Sequence, residues 1–291
     1  MNSLRGVLAA LFLSLNTAIW CIPLYIAGIV RFLVPIASVQ RTLSGAMDLV
    51  IDGWVGGNRA MNAALRLHQM DLTLDVAAPL SLRNRYLLIC NHQSWADIII
   101  LQNSFRGILP PLKFFTKREL IWIPLLGPAM WLLGFPYVRR GGAGDRKAIA
   151  DSCAGFREHP VTVLNFLEGT RFTTEKHSRF DSPFQALLPP KTGGMAFVLG
   201  QIGTHIDSII DVTIAYPDKT PSFWQFLCGN CPTSRVHIES LEPPVSGDGQ
   251  TLTDEQLEHL KQWTQERWEN KDQTLAGLMS SEHPSAATQR D

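Results

Sequence analysis

Between Arg5 and Arg31 the chain carries no charged residue, and residues 7–30 are apolar apart from Ser14, Asn16, Thr17 and Pro23. At about 1.5 Å per residue this run reaches roughly 36 Å as a helix, enough to cross a hydrocarbon core of about 30 Å. It exceeds the roughly 7–15 residues of a signal-peptide core, and no clear small-x-small cleavage pattern precedes Arg31, so an uncleaved membrane anchor is expected. Pro23 removes a backbone donor in mid-segment and Phe32–Val39 resumes the apolar pattern, so one spanning helix and a shallow helical hairpin both fit. Arg31, Arg41, Arg59 and Arg66 follow the run against a single Arg5 before it, which keeps the bulk of the chain on the cytoplasmic side, with a bacterial inner membrane as the expected location.

Composition narrows the function classes. Of 291 residues 45% are hydrophobic and 18% charged, below the roughly 25% charged share of an average soluble domain, which favours a buried core and lipid contact over disorder. Lys and Arg total 26 and Asp and Glu total 26, so net charge makes no case for nucleic acid as a partner. Five cysteines, at 21, 90, 153, 228 and 231, form no disulfide framework and point to a reducing compartment.

Past an amphipathic helix predicted over residues 42–67, short apolar runs alternate with helical segments. Residues 72–76, 86–90, 113–116, 136–139, 161–166, 209–216 and 235–239 read as strands; residues 95–104, 125–133, 145–158, 193–203 and 253–270 read as helices. This alternation predicts an α/β fold, a largely parallel sheet flanked by helices. The division expected is an N-terminal membrane anchor over 1–41, one catalytic domain over 42–270 and a flexible polar tail over 271–291. Ligands in such sheets gather at the carboxyl ends of strands, which directs attention to the residues after Cys90 and after Phe166.

After Cys90 comes Asn91-His92-Gln93-Ser94-Trp95-Ala96-Asp97. Five helical steps separate side chains by about 140°, so His92 and Asp97 pair only if His92 sits in a turn before a helix that Ser94 starts. Ser94-x-x-Asp97 also fits a capping box, in which Asp97 merely satisfies a backbone donor, and taken alone the two readings are equal. After Phe166 comes Leu167-Glu168-Gly169-Thr170-Arg171. Its glycine, hydroxyl and guanidinium suit a phosphate monoester, while a surface turn with a Glu–Arg ion pair is the alternative.

The two motifs, in this order and downstream of an anchor, resemble those of the glycerolipid acyltransferases that include 1-acyl-glycerol-3-phosphate acyltransferase. The His-x4-Asp motif is His92 to Asp97, the Glu-Gly-Thr-Arg motif is residues 168–171, and an intervening Lys-x-Glu-Leu segment is Lys117 to Leu120, with Pro124 and Gly127 after it. The resemblance covers residues 70–240. It implies transfer of an acyl group from a thioester to a lysophospholipid hydroxyl, with His92 as general base and Asp97 orienting it. Lys117 and Arg171 would bind the acceptor phosphate, and Glu168, Gly169 and Thr170 would shape that pocket. The most favoured acceptor is 1-acyl-glycerol-3-phosphate, giving phosphatidate; lysophosphatidylglycerol, or a non-catalytic lipid-binding role, are the alternatives. No cofactor or metal is implied: acyl-CoA or acyl-carrier protein is the donor substrate, and membrane lipids are the other partners. Leu167 stands where the family has Pro, which loosens the turn before Glu168 but removes no functional group; Asp211 falls in a strand where the family has an apolar residue or Pro, which predicts a changed acyl or acceptor pocket there.

No Gly-x-Ser-x-Gly elbow occurs, and neither Ser94 nor Cys90 has an independent claim as nucleophile, so direct transfer is expected. Arg106, Lys113, Lys117, Arg118, Arg139, Arg140, Arg146 and Lys147 outweigh Glu119 and Asp145 over residues 106–147, a positive patch suited to phosphate-bearing substrates or an anionic bilayer. Trp122 and Trp131 flank the apolar stretch 120–135, which fits either the bilayer interface or core packing. Cys228-Gly-Asn-Cys231 lacks further metal ligands at suitable spacing, His237 being the single nearby candidate.

Overall fold

The computed structural model of the chain describes residues 2–138, 150, 153, 155–157 and 159–280. The apolar run forms one helix, α1 (Asn2–Leu33), continuous through Pro23. Among the described residues it is the one helix long and apolar enough to cross a membrane. The chain then reverses into α2 (Ala37–Leu65), which lies antiparallel along α1. Close approach needs Gly53, where a Cβ would stand 2.2 Å from the Trp20 ring. The polar interruptions of the run make this contact specific: Asn16 Nδ2 donates to Trp54 O and Asn58 Oδ1, each at 2.9 Å, and Trp54 Nε1 donates to Thr17 Oγ1 at 3.0 Å. The opposite stripe of α1, including Leu4, Leu11, Leu15, Ile19, Ile22, Ile26 and Ile29, is apolar and exposed.

The expected boundary at residue 41 falls inside α2. This helix does not break there because its early part, through Met47, packs on α1 while Met61 reaches the core beneath the sheet. The segment expected as an anchor and the sheet are thus joined by one continuous helix, and the hairpin it forms with α1 lies against the sheet's flanking helices.

Strands β1 (Gln69–Asp75), β2 (Arg85–Cys90) and β3 (Leu112–Phe114) join β6 (Val161–Phe166), β7 (Ser208–Ala215) and β8 (Thr233–Leu241) in one sheet of order β1-β8-β7-β2-β6-β3. The short strands β4 (Thr116–Lys117) and β5 (Tyr137–Val138) form a second sheet. Every pairing is parallel except β7 with β8. The near-continuous apolar runs of β2 and β6 suit central strands buried on both faces, whereas β1, with Asp71 and Asp75, forms an exposed edge. On one face α1 and α2 pack with α3 (Ala96–Phe105) and α7 (Phe223–Leu227); in the chain between these last two come the short α4 (Leu126–Leu132) and α5 (Thr174–Arg179) and the longer α6 (Gly193–Ile202). On the other face lie α6 and α8 (Asp254–Ser280).

The largest difference from expectation is at the C-terminus. Residues 271–280, expected in the tail, continue α8, and Lys271 and Leu275 are buried. Lys271 Nζ donates to Asp211, to Val212 O at 2.7 Å and to Thr213 Oγ1 at 3.1 Å. Arg267 reaches Asp211 at 3.2 Å and pairs with Glu239. Asp211 is therefore the socket for α8 on β7. Residues 281–291 lie outside the described residues, as do most of the predicted helix 145–158 and Arg139, Arg140, Arg146 and Lys147 of the basic patch. Of that patch, Arg106 pairs with Asp52 at 2.7 Å and Lys113 with Asp48 at 3.8 Å, both on α2.

Candidate active site

Strands β2 and β6 pair in parallel with Cys90 opposite Phe166. The residues that follow each strand by two, His92 and Glu168, are therefore brought to the same level at the carboxyl edge of the sheet. They are joined there: the backbone N–H of His92 donates to Glu168 Oε1 at 2.7 Å, and Phe172 N–H donates to His92 O at 2.7 Å. Two motifs distant in sequence become one site because register places them side by side.

His92 Nδ1 lies 2.8 Å from Asp97 Oδ2. The same oxygen accepts from Gln93 N–H at 2.7 Å and Ser94 N–H at 2.9 Å. Asp97 thus serves both readings left open by the sequence, starting the helix and holding the imidazole. The helix begins at Ala96, with Ser94 in the turn before it; Ser94 Oγ donates to Pro221 O at 2.7 Å and accepts from Ala96 N–H at 3.1 Å. That hydroxyl is committed to structure. The His92 ring stacks on Phe166 at 4.0 Å between centroids and is largely buried. With Nδ1 on the carboxylate, Nε2 makes no hydrogen bond to another described residue, and an imidazole so held carries its proton on Nδ1 and a lone pair on Nε2.

Two contributors to the site were not expected. Tyr216, just past β7, donates its hydroxyl to Asp97 Oδ1 at 2.5 Å, and burial beside that carboxylate pushes the phenol well above its ordinary value. Asn91 pins β7 to the turn: Nδ2 donates to Ile214 O and Oδ1 accepts from Ile214 N–H, each at 2.9 Å. An asparagine and a tyrosine at strand ends were the available signals, but neither spacing nor composition pairs them with Asp97. Cys90 is fully buried beneath the site, and desolvation pushes its thiol well up, so it is no nucleophile.

Glu168, expected to shape the phosphate pocket, makes its contacts inward. Its carboxylate is buried in the wall, with Oε2 accepting from Leu188 N–H at 3.0 Å. Burial pushes its carboxyl up to about 8, against the pull of the two amide donors. Gly169 turns the chain at φ +64°, and a Cβ there would stand 3.3 Å from Lys191 Cδ. Thr170 Oγ1 accepts from Lys176 Nζ at 2.8 Å. Arg171 has no carboxylate partner among the described residues; its guanidinium lies 4.8 Å above the Trp95 ring, next to the His92 turn. Lys176 and Lys191 thus add cations around the 168–171 loop that the motif did not include. Lys117, on β4, is exposed, and its side chain makes no hydrogen bond or ion pair with a described residue. It follows by three residues the end of β3, the strand that borders β6 on the side away from β2.

A cavity of about 570 Å³ lies elsewhere, bordered by Arg31, Asp48, Lys113, Trp131, Phe135 and His159, and it includes none of the expected site residues. Trp122 and Trp131 are exposed together with Ile123, Leu125 and Leu126, and α1 reaches this stretch through Tyr25 Oη, which donates to Leu125 O at 2.6 Å. Cys228 and Cys231 are buried and unpaired; burial pushes the Cys231 thiol up to about 11.

The chain is similar to known proteins in both sequence and fold. The family model described as Acyltransferase matches residues 72–216. The 1-acyl-sn-glycerol-3-phosphate acyltransferase epsilon of Mus musculus is 26% identical over 69% of this chain and 60% of its own length. Lysocardiolipin acyltransferase 1 of Gallus gallus is 29% identical over 66% of this chain and 53% of its own. The chain therefore spans little more than half the length of these relatives. The crystal structure of the 1-acyl-sn-glycerophosphate (LPA) acyltransferase PlsC from Thermotoga maritima superposes with a TM-score of 0.57 at 16% identity, covering 97% of this chain and all of that one, and so shares the fold. The paired imidazole and carboxylate at one strand end, the Glu-Gly-Thr-Arg loop at the next, and these likenesses lead to one conclusion: the chain belongs to the glycerolipid acyltransferase family.

Proposed function

We propose that this chain transfers a fatty acyl group from an acyl thioester, acyl-CoA or acyl-carrier protein, to the free hydroxyl of 1-acyl-glycerol-3-phosphate, giving phosphatidate. The observation that carries the reading is the His92 Nδ1 to Asp97 Oδ2 contact of 2.8 Å, with Nε2 left without a partner among the described residues. His92 Nε2 takes the acceptor's hydroxyl proton as that oxygen attacks the thioester carbonyl. The ester C–O bond forms, the C–S bond breaks, and the thiolate leaves with the imidazolium available to protonate it. Asp97 holds the tautomer and stabilises the imidazolium, and Tyr216 holds Asp97. The chemistry needs no cofactor, and the committed Ser94 hydroxyl and buried Cys90 favour transfer without an acyl-enzyme.

The acceptor phosphate is assigned to Arg171, stacked on Trp95, with Lys176 and Lys191 beside the loop, and, on its motif alone, to exposed Lys117. The exposed apolar stripe of α1 and the Trp122–Trp131 region together form the lipid-facing side, with the sheet domain on the cytoplasmic side. A bulkier lysophospholipid is the second reading, favoured by the lysocardiolipin acyltransferases among the relatives. The test is a panel of lysophosphatidate, lysophosphatidylglycerol and lysocardiolipin offered to purified protein with acyl-CoA and with acyl-carrier protein. Highest kcat/KM on lysophosphatidate is expected; turnover on none of the acceptors with either donor would overturn the proposal.

A further inference from the structure

The contacts of α8 reach the reacting pair by a route the family match does not contain, since that match ends at residue 216. Trp268 and Asp272 are four residues apart and so share one face of the helix. Trp268 Nε1 donates to Leu188 O at 2.9 Å. Asp272 accepts from Gln185 N–H at 2.8 Å through Oδ2 and from Ala186 N–H at 3.2 Å through Oδ1. Leu188 is thereby held on both sides of its backbone, its carbonyl by α8 and its N–H by Glu168 Oε2 at 3.0 Å. Glu168 passes the restraint on through its other oxygen, 2.7 Å from the N–H of His92. Lys271, between the two α8 residues, locks the helix to Asp211 on the strand next to β2.

We propose that Trp268 and Asp272 are positioning residues for the transfer reaction, acting on His92 through the 185–188 segment and Glu168. This rests on the reading of His92 as general base. A ring that takes a proton in the transition state must be held to a fraction of an ångström, and a misplacement of about 1 Å costs on the order of 100-fold in rate. The restraint on its backbone originates here in a helix that touches neither substrate nor ring. A helix that merely covered the core would contribute stability alike to every part of the sheet.

The experiment compares Trp268→Phe and Asp272→Ala in the full chain, with Asp272→Asn, which keeps one acceptor oxygen, as the milder variant should Asp272→Ala fail to fold. Expected is a fall in kcat of about tenfold or more, with acceptor KM within about twofold of wild type. Amide exchange should quicken at Leu188 and His92 but not within β2 and β6. Because the route passes through Glu168, adding Asp272→Ala to Glu168→Gln should slow the enzyme little beyond Glu168→Gln alone. Wild-type kcat in both single variants, or losses that multiply in the double variant, would overturn the inference. His92→Ala is run beside them: if it retains transfer the base assignment fails, whereas loss in His92→Ala with unchanged α8 variants removes only the role given to α8.

Discussion

Replacing Asp97 with Asn separates charge from geometry in the proposed mechanism. In the site Oδ2 takes donors from His92, Gln93 and Ser94 at 2.8, 2.7 and 2.9 Å, and Oδ1 takes the Tyr216 hydroxyl at 2.5 Å. An asparagine with its oxygen on the three-donor side keeps the start of α3 and the His92 tautomer, while its amide donates to a rotated Tyr216 hydroxyl. What is lost is the negative charge facing the imidazolium that forms during transfer. Exchanging a charge-assisted bond for a neutral one forfeits about 1–1.5 kcal/mol. The Coulomb attraction of unit charges about 4 Å apart at an effective dielectric near 20 is about 4 kcal/mol. The two overlap, so the barrier should rise by about 2–4 kcal/mol and kcat should fall roughly 30- to 1,000-fold. The assay is the initial rate at saturating acceptor and donor, with thermal melts showing a folded protein. A kcat within about threefold of wild type would refute the claim that Asp97 stabilises a charged imidazole.

Further outcomes follow from the same geometry. Arg171→Ala should raise the acceptor KM by roughly 10- to 150-fold with kcat little changed, and an unchanged KM would remove Arg171 from the phosphate site. Lys271→Met leaves buried Asp211 with Arg267 alone and should cost about 3–5 kcal/mol in urea unfolding; a cost below about 1 kcal/mol would refute the socket. Burial lifts the Glu168 carboxyl from 4.5 to about 8, so the native state binds more protons than the unfolded chain between those values. Stability should fall as pH rises through that window and level off above it, and Glu168→Gln should remove the slope. Replacing Trp122 and Trp131 together with Ala should weaken liposome binding by about tenfold or more; unchanged binding would assign both rings to another role.

The central strands were legible because buried parallel strands leave unmistakable apolar runs, as at residues 86–90 and 161–166. Hydrogen-bond register was not legible, and it is register that sets Glu168 beside His92 and Tyr216 beside Asp97. The motif placed Glu168 at the phosphate pocket; its burial against two backbone amides is a consequence of tertiary packing that local sequence does not encode. The end of α8 was misread for a related reason. Hydropathy counts Arg267, Lys271 and Asp272 as solvent-facing, whereas Arg267 and Lys271 meet Asp211, Arg267 also meets Glu239, and Asp272 takes two loop amides. Asn16 and Thr17, read in the sequence only as interruptions of the apolar run, are the groups that key α1 to α2.

The most direct test of the account is acyl transfer by His92→Ala, in the purified chain with lysophosphatidate and an acyl thioester. The account predicts that kcat falls roughly 10²- to 10⁴-fold while lysophosphatidate binding, measured separately, stays within about twofold of wild type. Turnover near the wild-type rate in a folded His92→Ala protein would contradict it.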